Sequence, residues 1–162
     1  MTLRSATFAA AFALLPVLGA PAWAATTIDV TIWDKGADAE MATAMGYGAG
    51  EVDHAKLSMG LKLSHDSAPA GDVTFKVTNS SKDTVHEMLV LPISTPGQAP
   101  TYVENESRID EEAAGHLGEV AELDPGQSGA LTLDLEPGEY LLVCNIPGHY
   151  MAGMWQVFTV TP

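Results

Sequence analysis

The chain has 162 residues, 46% hydrophobic and 17% charged, with 7 Lys and Arg against 21 Asp and Glu for a formal charge of −14. A chain this acidic offers no basic face for phosphates, which excludes nucleic acid as an expected partner. Its single cysteine, Cys144, excludes an internal disulfide.

Residues 1–24 read as a secretory signal peptide: Arg4, an apolar run over 6–19, then the small-x-small site Ala22-Trp23-Ala24. The run is too short for a membrane anchor, which needs about 20 apolar residues, and Pro16 and Pro21 break it. The expected product is a single exported, periplasmic domain over 25–162. Its charge is −15, since the leader takes away Arg4 and no acid. Such a charge suits steering toward a basic partner; a solvated acidic surface explains it as well, and composition does not choose.

Beyond the leader, Gly, Pro, Asn, Asp and Ser punctuate short runs that alternate or are rich in β-branched residues, the signature of an all-β chain. Strands are expected over 27–33, 56–64, 72–79, 85–91, 119–123, 128–134, 139–144 and 155–161, about eight in all, which fits a two-sheet β-sandwich. Val73, Phe75 and Val77 alternate with Thr74, Lys76 and Thr78, and Leu131, Leu133 and Leu135 with Thr132, Asp134 and Glu136, so each of these strands buries one face. The run from Tyr140 to Cys144 is apolar on both faces, as in an interior strand. Two stretches stand apart. Residues 36–53, with Gly46, Gly48 and Gly50, read as a loop excursion. Residues 107–116, with Ser107 three places before Asp110, read as a short capped helix.

A lone cysteine in an exported protein is an inert buried thiol, an intermolecular link, a nucleophile or a metal ligand. Its surroundings favour the last. Cys144-Asn145-Ile146-Pro147-Gly148-His149-Tyr150-Met151-Ala152-Gly153-Met154 puts a thiolate, an imidazole and a thioether on one Gly- and Pro-containing loop between two strands. Thiolate and thioether suit copper, and imidazole suits it too. His86, at the start of an apolar strand just after the polar turn 79–83, is the best second imidazole. Two His and one Cys with a weak axial Met make a blue-copper donor set. Met151 is the rival to Met154 for the axial place. Singly, each residue has an ordinary structural explanation; the ordered set is what carries weight.

On these residues the chain resembles the cupredoxins, the blue type 1 copper proteins of the plastocyanin and azurin family, with a sulfocyanin- or rusticyanin-like ligand loop. The likeness runs from Thr27 to the end. It is most specific over 144–154, where four residues separate Cys144 from His149 and four separate His149 from Met154; plastocyanins have a shorter Cys-to-His interval. The resemblance implies a Greek-key β-sandwich and one copper, Cu(I)/Cu(II), held by His86, Cys144, His149 and Met154. It implies one-electron transport with a partner such as a c-type cytochrome or an oxidase, by a monomer that is not an enzyme. It also implies a His149 that reaches the surface, ringed by Pro147, Tyr150, Met151 and Ala152. One departure is Glu87, where many members carry an Asn that ties the two ligand loops together.

Copper handling, by sequestration, delivery or tolerance, is the alternative function. Met41, Met45, His54 and Met59 are its candidate second soft site, against the plainer role of filling core and loop. Multicopper oxidases and copper nitrite reductases need more imidazoles than the five His here, none of them paired as His-x-His. A Cys144 nucleophile with His149 as base leaves His86 and Met154 unexplained. His65 and His116 read as surface residues.

Overall fold

Strand formation follows alternation and β-branching, and each expected strand is present within a few residues of its expected bounds. The computed structural model describes residues 25–50, 52–53 and 56–162; the signal peptide expected over 1–24 and His54 lie outside them. One sheet has the order β2 (Met59–Leu63), β1 (Thr26–Asp34), β4 (Gly71–Asn79), β9 (Ser128–Leu135). The second has the order β3 (Ser67–Pro69), β11 (Trp155–Thr161), β10 (Gly138–Val143), β5 (His86–Pro92), β8 (Gly118–Leu123). The pair β6 (Tyr102–Val103) and β7 (Arg108–Ile109) stands apart. The chain passes repeatedly from one sheet to the other, and β1 pairs parallel with β4, so most strand neighbours are distant in sequence.

The inner faces supply one core. Ile28, Val30 and Ile32 of β1 and Val73, Phe75 and Val77 of β4 meet Met88 and Val90 of β5, Leu142 of β10 and Phe158 of β11. Phe75 and Phe158, both fully buried, meet edge to face at 5.2 Å, the geometry favoured by the ring quadrupoles. β9 alternates as expected, but only Leu135 of its inward row is fully enclosed, because the strand lies at the sheet edge. On the solvent side Thr74 pairs with Thr132 (2.8 Å between hydroxyls) and Thr78 with Ser128 (2.9 Å).

Residues 140–143 are buried on both faces because a second layer covers the outside of the larger sheet. Leu89, Leu91, Leu141 and Val143 point outward into a cluster with Ile109, Tyr150, Tyr47, Tyr102 and Trp155. The covering segments are the 36–50 excursion and the stretch between β5 and β8. The helix expected over 107–116 is absent. Arg108–Ile109 is a strand, and only one turn follows, closed by Ala114 N–H to Asp110 O at 2.9 Å. Its cap is Asp110, whose Oδ1 accepts from Ala113 N–H at 3.0 Å, while Ser107 adopts φ +55°. The physical reason is Ile109, which is buried against the sheet and ties its backbone to Asn145. Sheet-like docking of that one residue outweighs the local helix signal.

Phe75→Ala opens a cavity at the centre of both sheets. Denaturant unfolding of the metal-free protein is expected to show a loss of about 3–5 kcal/mol.

Candidate metal centre

Three elements deliver the site to one end of the sandwich. β5 opens on His86, β10 runs directly into Cys144, and the turn before β11 carries His149 and Met154. Between His86 and Met88 the β5–β8 register slips, His86 pairing with Leu123 and Met88 with Val120, so β8 has one more residue than β5 across this interval. Irregularities of this kind re-aim side chains at sheet ends.

The 144–154 turn is held by its own backbone. Met154 N–H donates to His149 O and Cys144 N–H to Met154 O, both at 3.1 Å, and Ala152 N–H reaches Gly148 O at 3.0 Å. Gly153 sits at φ +91°, a conformation that favours glycine, and a Cβ there would also have to displace the end of the Leu57 side chain.

The donor atoms of His86, Cys144 and His149 lie within 4.8 Å of one another, and all three residues are buried. Cys144 Sγ is 3.4 Å from His149 Nδ1 and 3.8 Å from His86 Nδ1. Met154 is fully buried in the same cluster as Cys144. Two imidazole nitrogens facing one sulfur beside a buried thioether residue fit copper by donor chemistry.

The groups around the site are more specific than the sequence reveals. Asp34 Oδ2 lies 2.8 Å from His86 Nε2. Asn145 ties the ligand turn to β7: its Oδ1 accepts from Ile109 N–H at 2.7 Å, and its Nδ2 donates to Ile109 O at 3.1 Å and Glu111 Oε1 at 2.8 Å. Arg108 Nε donates to Asn145 O at 3.0 Å, while its Nη2 stands 3.8 Å from Glu87 Oε1. The two ligand loops are therefore joined through Arg108. The side chain of Glu87, buried and with no hydrogen-bond partner on Oε1 among the described residues, approaches the Cys144 loop through that guanidinium, while its backbone N–H donates to the Cys144 sulfur. Asn145 lay in plain sight beside Cys144, but nothing in the sequence signals Asp34 as a partner of His86 or Arg108 as a partner of Asn145, because both contacts are long-range.

Several expectations need correcting. His149 is only 6% exposed, and Tyr150 and Ala152 are buried rather than forming a surface ring. The 36–50 excursion covers them: Met45 N–H donates to Met151 O at 2.9 Å, Trp155 Nε1 to Met45 O at 2.7 Å, and Tyr150 hydroxyl to Tyr47 O at 3.0 Å. Of the expected ring, Pro147 is exposed and Met151 partly so, and Met41, 46% exposed and beside Gly148, joins them at the surface. Of the candidate second soft site, Met59 packs in the core at 5% exposure, in line with its plainer packing role, and Met41 is 46% exposed, while His54 lies outside the described residues. His65 is exposed as expected. His116 is partly buried and gathers with Glu111 and Glu119, although Glu111 Oε1 is already engaged by Asn145.

Burial sets the protonation states. It pushes the Cys144 thiol up to about 12, against the N–H groups of Glu87 and Ile146 that donate to the sulfur. It pushes Glu87 up to about 7 despite Arg108. Burial, with His86 alongside, pushes His149 down to about 4. Burial works against the Asp34 carboxylate, but hydrogen bonds from Ser81, His86 and Gly36 outweigh it and hold its pKa below the usual value.

Comparison with known proteins gives a consistent answer. The sulfocyanin (SoxE) domain family matches residues 67–162. Auracyanin-B of Chloroflexus aurantiacus is 33% identical over 92 residues, 56% of this chain and 32% of that protein; the chain thus spans about a third of that relative's length. Among solved structures, dithionite-reduced auracyanin from Roseiflexus castenholzii has a TM-score of 0.53 at 20% identity, covering 86% of this chain and 100% of that one. Rusticyanin from Thiobacillus ferrooxidans has a TM-score of 0.53 at 17% identity, covering 85% and 79% respectively. At such identities the structural likenesses speak to the fold alone, and it is the cupredoxin fold.

Without metal, the thiol keeps its proton and His149 is neutral at neutral pH. An ion taken up by the thiolate then displaces one proton from Cys144 and none from His149. Apparent copper affinity, measured by competition with a chelator between pH 6 and 8, is expected to rise about tenfold per pH unit once the chelator's own titration is subtracted. The metal-free fold behaves differently. An unfolded His149 binds its proton at higher pH than the folded one, so its share of the stability is fully present above about pH 6.5 and is lost as pH drops toward 4, while the raised Glu87 carboxyl acts in the opposite sense between about pH 7 and 4.5. Denaturant midpoints of Glu87→Gln across that interval isolate the His149 share, and adding His149→Gln is expected to flatten the dependence.

Proposed function

Because this chain belongs to the sulfocyanin (SoxE) family of cupredoxins, we propose that it is an exported, periplasmic mononuclear blue copper protein that carries single electrons between redox proteins. His86, Cys144 and His149 would hold the ion, with Met154 as the weak axial ligand. The observation that carries this reading is the convergence of two imidazole nitrogens on one fully buried sulfur. A copper ion held there supplies one-electron Cu(II)/Cu(I) cycling. The protein's own part is to keep the donors from moving. The turn hydrogen bonds fix Cys144 and Met154 relative to each other, the Arg108–Asn145 tie holds the turn to β7, and the apolar core on one side and the Tyr150 cluster on the other exclude water. A rigid dry site keeps reorganisation small when the charge changes.

Exposed Met41 and Pro147 beside the His149 turn support an apolar docking face there, with the acidic surface steering a basic partner such as a c-type cytochrome. Residues 25–162 are read as one cupredoxin domain behind a signal peptide. No helix among the described residues is long and apolar enough to cross a membrane. Copper storage or delivery is the weaker reading, since the methionines that favoured it are divided between core and solvent.

Absorption and EPR spectra of the copper-loaded protein test the proposal. One copper per chain, an intense thiolate-to-Cu(II) band and unusual hyperfine splitting are expected, all lost in Cys144→Ser. A colourless Cu(II) complex of the wild type would overturn it.

A further inference from the structure

The least expected neighbour of the site is a carboxylate. Asp34 ends β1, opposite Met59 of β2, and Lys35 N–H donates to Ser58 O at 2.8 Å, so its backbone is fixed by the sheet. Its side chain is 3% exposed and that of His86 is 0% exposed. Each carboxylate oxygen is engaged. Oδ1 accepts from Gly36 N–H at 2.7 Å, and Oδ2 lies 2.8 Å from His86 Nε2. The Ser81 hydroxyl adds a third hydrogen bond, while its Oγ accepts from Asp83 N–H at 3.2 Å and Thr84 N–H at 2.9 Å. Asp83 in turn accepts from Ala37 N–H at 3.2 Å. The turn after β1 and the turn before His86 are thus clasped together around one buried negative charge.

An ionised carboxylate only accepts hydrogen bonds. His86 therefore carries its ring proton on Nε2, and its Nδ1 lone pair is left facing Cys144 Sγ at 3.8 Å. Among the described residues no carboxylate meets His149 in this way, so the two imidazoles are not equivalent. A carboxylate on the far nitrogen of a ligating imidazole fixes the tautomer and raises the basicity of the near nitrogen. In a water-poor surrounding its charge also acts on the ion with little screening. Cu(II) carries one more positive charge than Cu(I), and so gains more from it.

We propose that Asp34 is a positioning residue that locks His86 in the Nε2–H tautomer and, through its buried charge, biases the site toward Cu(II). The inference rests on the copper reading of the site for its redox half; the tautomer half stands on the metal-free protein.

Nitrogen-15 NMR of the metal-free protein tests the lock: His86 shows a protonated Nε2 and an unprotonated Nδ1 in the wild type, and a mixture of tautomers in Asp34→Ala. Voltammetry of the copper-loaded protein tests the bias. Asp34→Asn keeps the size and one acceptor oxygen but loses the charge. The Cu(II)-to-Cu(I) affinity ratio should fall about tenfold, which raises the potential by about 59 mV for one electron, with the thiolate band retained. Asp34→Glu, which keeps the charge, should shift it less than Asp34→Asn does. A change of less than about twofold in Asp34→Asn, or a single Nε2–H tautomer persisting in Asp34→Ala, overturns the proposal. If Asp34→Ala does not fold, the Asn and Glu variants carry the test. A wild type with no thiolate band refutes the copper reading and the redox half together, and the NMR result still judges the tautomer.

Discussion

The structure turns on a sulfur atom taken out of water. Cys144 is fully buried, at the end of an interior strand and between two imidazoles. In that position a thiolate has two backbone N–H donors and no formal cation of its own, so the thiol is the stable form until a metal arrives. On the copper reading of the site, the protein holds the remaining donors in place ahead of the ion. The slipped β5–β8 register, the glycine at the close of the turn, the fully buried Met154 and the carboxylate behind His86 all restrict where a donor atom can go. A donor set fixed in advance by the fold gives neither oxidation state much room to relax.

A second layer of structure serves the same constraint from outside. An open outer face on the larger sheet would leave Leu89, Leu141 and Val143 wet and the ligand turn unsupported. The excursion over 36–50 and the stretch between β5 and β8 cover that face. Gly148 N–H donates to Ser107 O at 2.8 Å, and Asn145 spans to Ile109 and Glu111. The covering stretch is thus wired into the turn that carries His149. Glu87 fits this arrangement. Where an Asn at this position would bridge the ligand loops directly, the longer carboxylate approaches Arg108, and Arg108 makes the bridge.

Much of the architecture was legible in the sequence because it rests on local pattern. Period-two alternation and turn residues located the eight principal strands, and the apolar character of 140–144 on both faces announced an interior strand. The candidate donors could be picked out because three of the four lie within eleven residues. The features that were not legible are those decided by distant partners. Ser107 and Asp110 look like a helix start, and only the docking of Ile109 on the sheet reveals otherwise. Asp34 is one acid among 21 Asp and Glu until the parallel pairing of β1 with β4 carries it to the site. The enclosure of His149 follows from a glycine-rich excursion whose path no periodicity specifies.

The site has a local half and a remote half. Cys144 and His149 are five residues apart, whereas His86 lies 58 residues from Cys144 and Asp34 lies 52 from His86. An unfolded chain can offer an ion only the local set Cys144, His149 and Met154; the remote half exists once the long-range strand pairings of the β topology are complete. Because side chains alternate along a strand, a slip of β5 by one residue turns His86 to the opposite face. On the copper reading of the site, such a slip removes His86 from the donor set, so a bound ion would favour the native strand alignment over the slipped one.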